Sequence, residues 1–149
     1  MIPVRRFSAL RIMALDVGDR RIGVALSDPL EMLASPLTII RRTVESDDVK
    51  IIVNLVAEHS AGKLLIGLPL SLSGEVGMQA LKVKAFTDVL SKSLGVPFEF
   101  VDESFSTVAA REYMRETGKK KHRFKKKDDA VAAAVVLQFY LEEASARNG

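Results

Sequence analysis

The stretch "LDVGDRRIGVALSD", residues 15–28, sets an aspartate inside an apolar run, turns on a glycine and starts a second apolar run. From Leu10 to Val17 every residue is apolar apart from Arg11 and Asp16, and aliphatic residues return in "RIGVALSD" (21–28) and "LASPLTIIRR" (33–42). Short apolar runs punctuated by Gly and Pro read as strands joined by tight turns, so the chain opens with three successive antiparallel strands. With regular alternation Ile12, Ala14 and Asp16 share one face, and a carboxylate stands where an apolar side chain belongs. Asp before Gly is ordinary turn chemistry, so a solvated strand end is one reading of Asp16 and a functional carboxylate is the other.

Downstream the periodicity changes. Residues 46–61, "SDDVKIIVNLVAEHSA", open on a Ser or Asp cap and place Val49, Ile52, Val53 and Val56 at helical spacing. "KLLIGLP" (63–69) reads as a buried strand running into the loop "LSLSGEVG", and a long helix follows over 76–94. "VPFEFVDE" (96–103) is strand-like, "STVAAREYMRET" (106–117) is helix-like and ends at Gly118, and "DDAVAAAVVLQFYLEEA" (128–144) is a final helix. The order βββαβαβα predicts a mixed five-stranded α/β sheet with helices on both faces. Phe7, Phe86, Phe98 and Phe100 suit core positions.

The 149 residues fit a single domain over 1–149 with a real core, preceded by a short extension at 1–9 and interrupted by a basic mobile loop at 118–127. There is no cysteine, so disulfides and thiolate metal sites are excluded and any metal must sit on oxygen or imidazole. "AVAAAVVL" (130–137), the longest purely apolar run, is far shorter than the ~20 residues of a spanning helix, and the N-terminus has no signal-peptide pattern. A cytoplasmic protein with no membrane partner is expected. The net charge of +3 conceals one local segment: "KKKHRFKKK" (119–127) holds seven of the 22 Lys and Arg and no acid, leaving 15 bases against 19 acids elsewhere.

Two further acidic pairs close or open elements. Asp102 and Glu103 end the strand 96–103, at the edge where open α/β sheets place their sites, and alternation puts them on opposite faces without choosing between them. Asp128 and Asp129 begin the last helix, where capping accounts for one acid. Counting from Asp129 gives Ala132, Ala133, Val136, Leu137 and Tyr140, and counting from Asp128 gives Val131, Ala132, Val135 and Phe139, so both head apolar stripes and the preference for Asp129 is slight. Three carboxylates gathered at such ends repel one another unless cations intervene, and hard divalent metals answer that need. Two Mg²⁺ or Mn²⁺ ions, three carboxylates and one bound phosphodiester balance in charge only with substrate present, as in two-metal phosphodiester hydrolysis.

With those residues in view, the chain resembles the YqgF or RuvX-like family, described as Holliday-junction resolvases and as pre-16S rRNA nucleases with an RNase H-like fold. The likeness runs from about Leu10 to Glu142 through "LDVGDRRIGVALSD", "IGLPLSLSGEVGMQA", "VDESFSTVAARE" and "DDAVAAAVVLQFYLE", in the family's order. The resemblance implies Asp16, Glu103 and Asp129 as catalytic metal ligands, with Asp102 and Asp128 as neighbouring or alternative ligands. It also implies precursor rRNA or branched DNA as the substrate, with either monomer or homodimer open. The family's Asp-Glu-Arg-Leu-Thr-Thr reads "DESFST" here, which puts Ser104 in place of its arginine and Ser106 in place of its first threonine.

The basic segment supplies Lys119, Lys120, Lys121, Arg123, Lys125, Lys126 and Lys127 as candidate phosphate contacts just before Asp129; a solvated loop is the plainer reading. Phe124 within it either stacks on an unpaired base or packs down to anchor the loop. Gly18 makes the turn after Asp16, and Gly67 and Gly74 lie in "GLPLSLSGEVG" (67–77), a loop that either presents N–H groups to a phosphate or simply joins strand to helix. Two other classes compete with the nuclease: a catalytically inactive nucleic-acid-binding module, and a phosphate-binding domain related to actin-like ATPases, which need two such domains where this chain holds one.

Overall fold

The computed structural model describes residues 10–70, 76–103 and 128–148, the side chains of 128, 129 and 148 excepted. The extension 1–9, Gly74, Ser104, Ser106, the helix read over 106–117 and the basic segment 118–127 with Phe124 lie outside the described residues. The described chain forms β1 (Arg11–Val17), β2 (Arg21–Ser27), β3 (Ala34–Arg41), α1 (Glu45–Glu58), β4 (Ala61–Leu68), α2 (Met78–Ser91), β5 (Phe98–Asp102) and α3 (Asp128–Asn148). Among the described residues this is the order read from the sequence.

The five strands make one sheet in the order β3-β2-β1-β4-β5. Short connections, residues 18–20 and 28–33, let β1, β2 and β3 pair antiparallel, whereas β4 and β5 run parallel to β1 and need the crossovers that α1 and α2 supply. At the first turn the Gly18 N–H donates to the Arg21 carbonyl at 2.8 Å, and a Cβ on Gly18 would stand 2.9 Å from that oxygen. Only a glycine fits there without a shift.

Alternation divides the strands between two cores. Met13, Leu15 and Val17 of β1, with Ile22, Val24, Leu64 and Ile66 of its neighbours, face Val49, Ile52 and Val56 of α1 and Val83, Phe86 and Leu90 of α2. Ile12, Ala14, Ala25 and Leu65 point the other way, onto Ala133, Ala134, Leu137 and Leu141 of α3. Small side chains on both partners bring this helix close to the sheet, and an apolar character all round fits its burial. The result is three layers, helices on both faces of a mixed sheet.

Local details adjust two expectations. Helix α1 starts from Val44 without a side-chain cap; Ser46 and Asp47 lie inside its first turn. Asp48, fully buried, instead reaches back to accept the Thr43 N–H at 3.1 Å and Arg42 Nε at 3.1 Å. Phe86 is buried as the sequence suggests, but Phe98 is 37% exposed, because β5 is the edge of the sheet. It packs edge-on against Phe100 at 5.6 Å between ring centres. Where the β1–β4 register shifts at Arg11/Ile12, the buried Ser27 hydroxyl accepts the Ile12 N–H at 2.9 Å. No helix among the described residues is long and apolar enough to cross a membrane.

Candidate active site

The site is assembled by strand register. Asp16 follows Ile12 and Ala14 on the face of β1 that carries α3, and it pairs across with Gly23 of β2. On the other side Leu15 pairs with Ile66, so the next step sets Asp16 beside Gly67 of β4. β4 in turn pairs Leu68 with Asp102 of β5, and the Glu103 N–H continues the ladder by donating to the Leu68 carbonyl at 3.1 Å. The C-terminal ends of three parallel strands therefore lie side by side.

The sheet separates Asp102 from Glu103, which the sequence alone left level. Phe100 packs into the α1–α2 core and Val101 into the α3 core, so Asp102 follows Phe100 and Glu103 follows Val101 to the face of Asp16. Glu103 leans across β4: its Oε2 is buried, and a Cβ built on Gly67 would collide with it. Gly67 is thus the floor beneath a carboxylate, flanked by Asp16 on the adjacent strand. Asp102 is exposed.

Helix α3 brings the third acidic pair to the same end. Tyr140, late in the helix, sits against Lys63 at the start of β4, its hydroxyl 2.6 Å from Lys63 Nζ. Eleven residues back along the helix, about 16 Å, reaches Asp129, while the four residues from Lys63 to Gly67 advance about 13 Å along β4. The N-terminus of α3 therefore arrives above the C-terminal ends of β1 and β4. Asp129 heads the i, i+4 row of Ala133, Leu137 and Leu141, and Asp128 heads that of Ala132, Val136 and Tyr140; both rows reach the core against the sheet. Among the described residues no group of three or more His, Cys, Asp or Glu side chains gathers, the side chains of Asp128 and Asp129 lying outside them.

One positioning device was not read from the sequence. Arg42 donates from Nη1 to the Gly18 carbonyl at 2.9 Å, pairs through Nε with buried Asp48, and lies 4.8 Å over the Phe86 ring. One side chain thus ties the turn after Asp16 to both α1 and α2. The signal was present as two Arg-Arg dipeptides, 20–21 and 41–42, at the two ends of one hairpin.

A strand end bearing Asp16 and a glycine floor under Glu103 offer carboxylate oxygens at one end of the sheet, where α3 also begins, and such oxygens are the ligands hard divalent cations prefer. A family model described as "RuvX: Holliday junction resolvase" matches residues 10–143. The chain belongs to this resolvase family. Among curated relatives, a protein of Dehalococcoides mccartyi named "Putative pre-16S rRNA nuclease" is 53% identical over 85% of this chain and 94% of its own. One of the same name from Roseiflexus is 46% identical over 89% of this chain and 94% of its own. Among solved structures, Thermus thermophilus RuvC in complex with a Holliday junction substrate superposes with a TM-score of 0.56 at 12% identity, covering 91% of this chain and 97% of that one. At that identity the likeness is one of fold.

Proposed function

We propose that the chain is a divalent-metal-dependent nuclease that hydrolyses phosphodiester bonds in nucleic acid. The observation that carries this is the convergence of Asp16 and Glu103 on one face, over Gly67, at the end of the sheet where α3 begins with Asp128 and Asp129. Asp16, Glu103 and Asp129 would hold Mg²⁺ or Mn²⁺, with Asp102 or Asp128 as neighbouring acids. When bound, two such ions activate water and stabilise the leaving oxygen. The chain's part is to fix the carboxylates: strand ladders hold Asp16 and Glu103, the Gly67 floor admits the Glu103 side chain, and Arg42 anchors the turn after Asp16. Lys119, Lys120, Lys121, Arg123, Lys125, Lys126 and Lys127 would then neutralise substrate phosphates, giving affinity that falls with salt.

The names carried by the curated relatives make precursor ribosomal RNA the first substrate to test, and the family description makes a four-way DNA junction the second. The test incubates wild type and Asp16→Asn with Mg²⁺ or Mn²⁺ and labelled precursor rRNA, single-stranded RNA, single-stranded DNA and a four-way junction. Changes in the groups around a metal site already cost 10–100-fold, so loss of a ligand is expected to lower cleavage by at least about a hundredfold. Undiminished cleavage by Asp16→Asn removes the proposed centre. Salt-sensitive binding without cleavage of any substrate by the wild type would turn the reading toward a binding module.

A further inference from the structure

Beside the carboxylates, at the same end of the sheet, lies a cleft of about 520 Å³ lined by Asp19, Arg20, Arg21, Arg41, Arg42 and Thr43. Arg21 and Arg41 are directly opposite in the β2–β3 ladder, and the Arg42 N–H donates to the Arg20 carbonyl at 2.9 Å. Arg42 is committed to Asp48 and Gly18, and Asp19 lies 3.4 Å from Lys82 in an exposed ion pair. Arg20 and Arg41 are exposed and add positive charge to the cleft.

The position relates this charge to the site. Ile22 and Ile40, which neighbour Arg21 and Arg41, face the α1–α2 core, so these two arginines lie on the opposite face, that of Asp16. Asp16 pairs with Gly23, two residues from Arg21. One strand across and two residues along puts the Arg21 Cα about 8 Å from that of Asp16, and Arg41, a further strand away, about 12 Å. All four basic residues of the cleft are arginines, whereas "KKKHRFKKK" has six lysines and one arginine. A guanidinium offers a planar fork that matches phosphate oxygens bidentately, where an ammonium acts as a point charge.

We infer that this arginine cleft is a second phosphate-binding site, which grips the nucleic-acid backbone one or two nucleotides from the bond held at Asp16. The identity of the polyanion rests on the nuclease reading; the anion site itself rests on the β2–β3 register and the cleft. It makes substrate binding two-point, and it orients the strand across the sheet ends rather than merely concentrating it there.

The test measures binding of a fluorescent single-stranded oligonucleotide in EDTA, where cleavage plays no part, over a range of salt. Losing two phosphate contacts in Arg20→Ala/Arg41→Ala is expected to make the salt slope shallower by about 1.4 and to weaken binding roughly tenfold at low salt. Arg41→Lys, which keeps the charge, should retain most of the slope, and the melting temperature of the double variant should stay close to that of the wild type. Unchanged affinity and slope in the double variant overturn the inference, as does a folded Arg41→Lys variant with a slope as shallow as that of the double variant. Displacement of the oligonucleotide by inorganic phosphate far more effectively than by chloride at matched ionic strength overturns the backbone assignment in favour of a small-anion site. A reduced slope in the arginine variants alongside a wild type that cleaves nothing would sink the nuclease reading and leave the cleft; Asp16-dependent cleavage with an unchanged slope would do the reverse.

Discussion

The two ends of the sheet place their carboxylates in different settings. At the end where β2 finishes and β4 starts, Asp28 accepts the Met32 and Leu33 N–H groups at 2.8 Å each, and Glu99 accepts Lys63 Nζ at 2.7 Å. The Leu33 N–H, and then that of Met32, hold the Asp28 carboxyl below its usual value against the opposing effect of burial. Glu99, then Tyr140, raise the Lys63 ammonium above its own. At the other end Asp16 and Glu103 converge over a glycine, and Arg21 faces Arg41 across one ladder. Asp16 and Asp28 belong to one 14-residue stretch of sequence, yet one closes a loop and the other lines a site.

The sharpest way to break this contrast is to fill the glycine floor. Gly67→Ala places a Cβ against Glu103 Oε2, the mobile end of a side chain, so the carboxylate must move while the strand need not. Gly67 has no left-handed backbone angle, so alanine fits its conformation, and the substitution should stabilise the fold by about 0.4–1 kcal/mol through the unfolded chain. Displacing a catalytic group by about 1 Å can cost a hundredfold, and cleavage should fall by about that factor. Full cleavage by a folded Gly67→Ala protein would show that Glu103 works from elsewhere or not at all.

A smaller effect on cleavage and a larger one on stability should come from Arg42→Ala. Asp48 is fully buried and the Arg42 side chain is 20% exposed, so the pair belongs at the lower end of the cost of orphaning a buried partner, about 3 kcal/mol. For a chain of this size that is a fall of roughly 6–12 °C in melting temperature. A melt within a degree or two of wild type would mean that Asp48 finds another donor. Cleavage assayed well below the melt should drop less than in Gly67→Ala, since the Gly18 turn keeps its own hydrogen bond to Arg21.

The same contrast explains what could be read from the chain alone. Strand alternation was enough to set Asp16 on the face of Ile12 and Ala14, because period-two geometry is local. The choice between Asp102 and Glu103 needed Phe100 and Val101 assigned to different cores, which depends on a parallel pairing across a crossover helix; only the family resemblance supplied it beforehand. The opposition of Arg21 and Arg41 depends on a hairpin with an irregular 28–33 loop and a register shift at Val24/Ala25, which sequence spacing does not encode. Asp48 reads as a helix-start acid, and its burial under Arg42 arises from tertiary packing around Phe86.

The smallest effect should come from the other aspartate of the opening stretch. Asp28→Asn keeps one acceptor oxygen for the loop but loses the charge, so cleavage should be unchanged and the melting temperature slightly lowered at neutral pH. The sign of the pH dependence follows from the direction of the shift. The folded carboxyl sits below its ordinary 3.8, so ionised Asp28 favours the folded state above that pH, and its contribution disappears as the pH falls through the lowered folded value. The difference in melting temperature between wild type and Asp28→Asn should therefore be constant from neutral pH to about pH 5 and shrink towards zero below 3.8. A difference that instead grew on acidification, or a variant that lost cleavage at neutral pH, would mean that Asp28 acts on the distant site and that the two ends of the sheet are not separate in function.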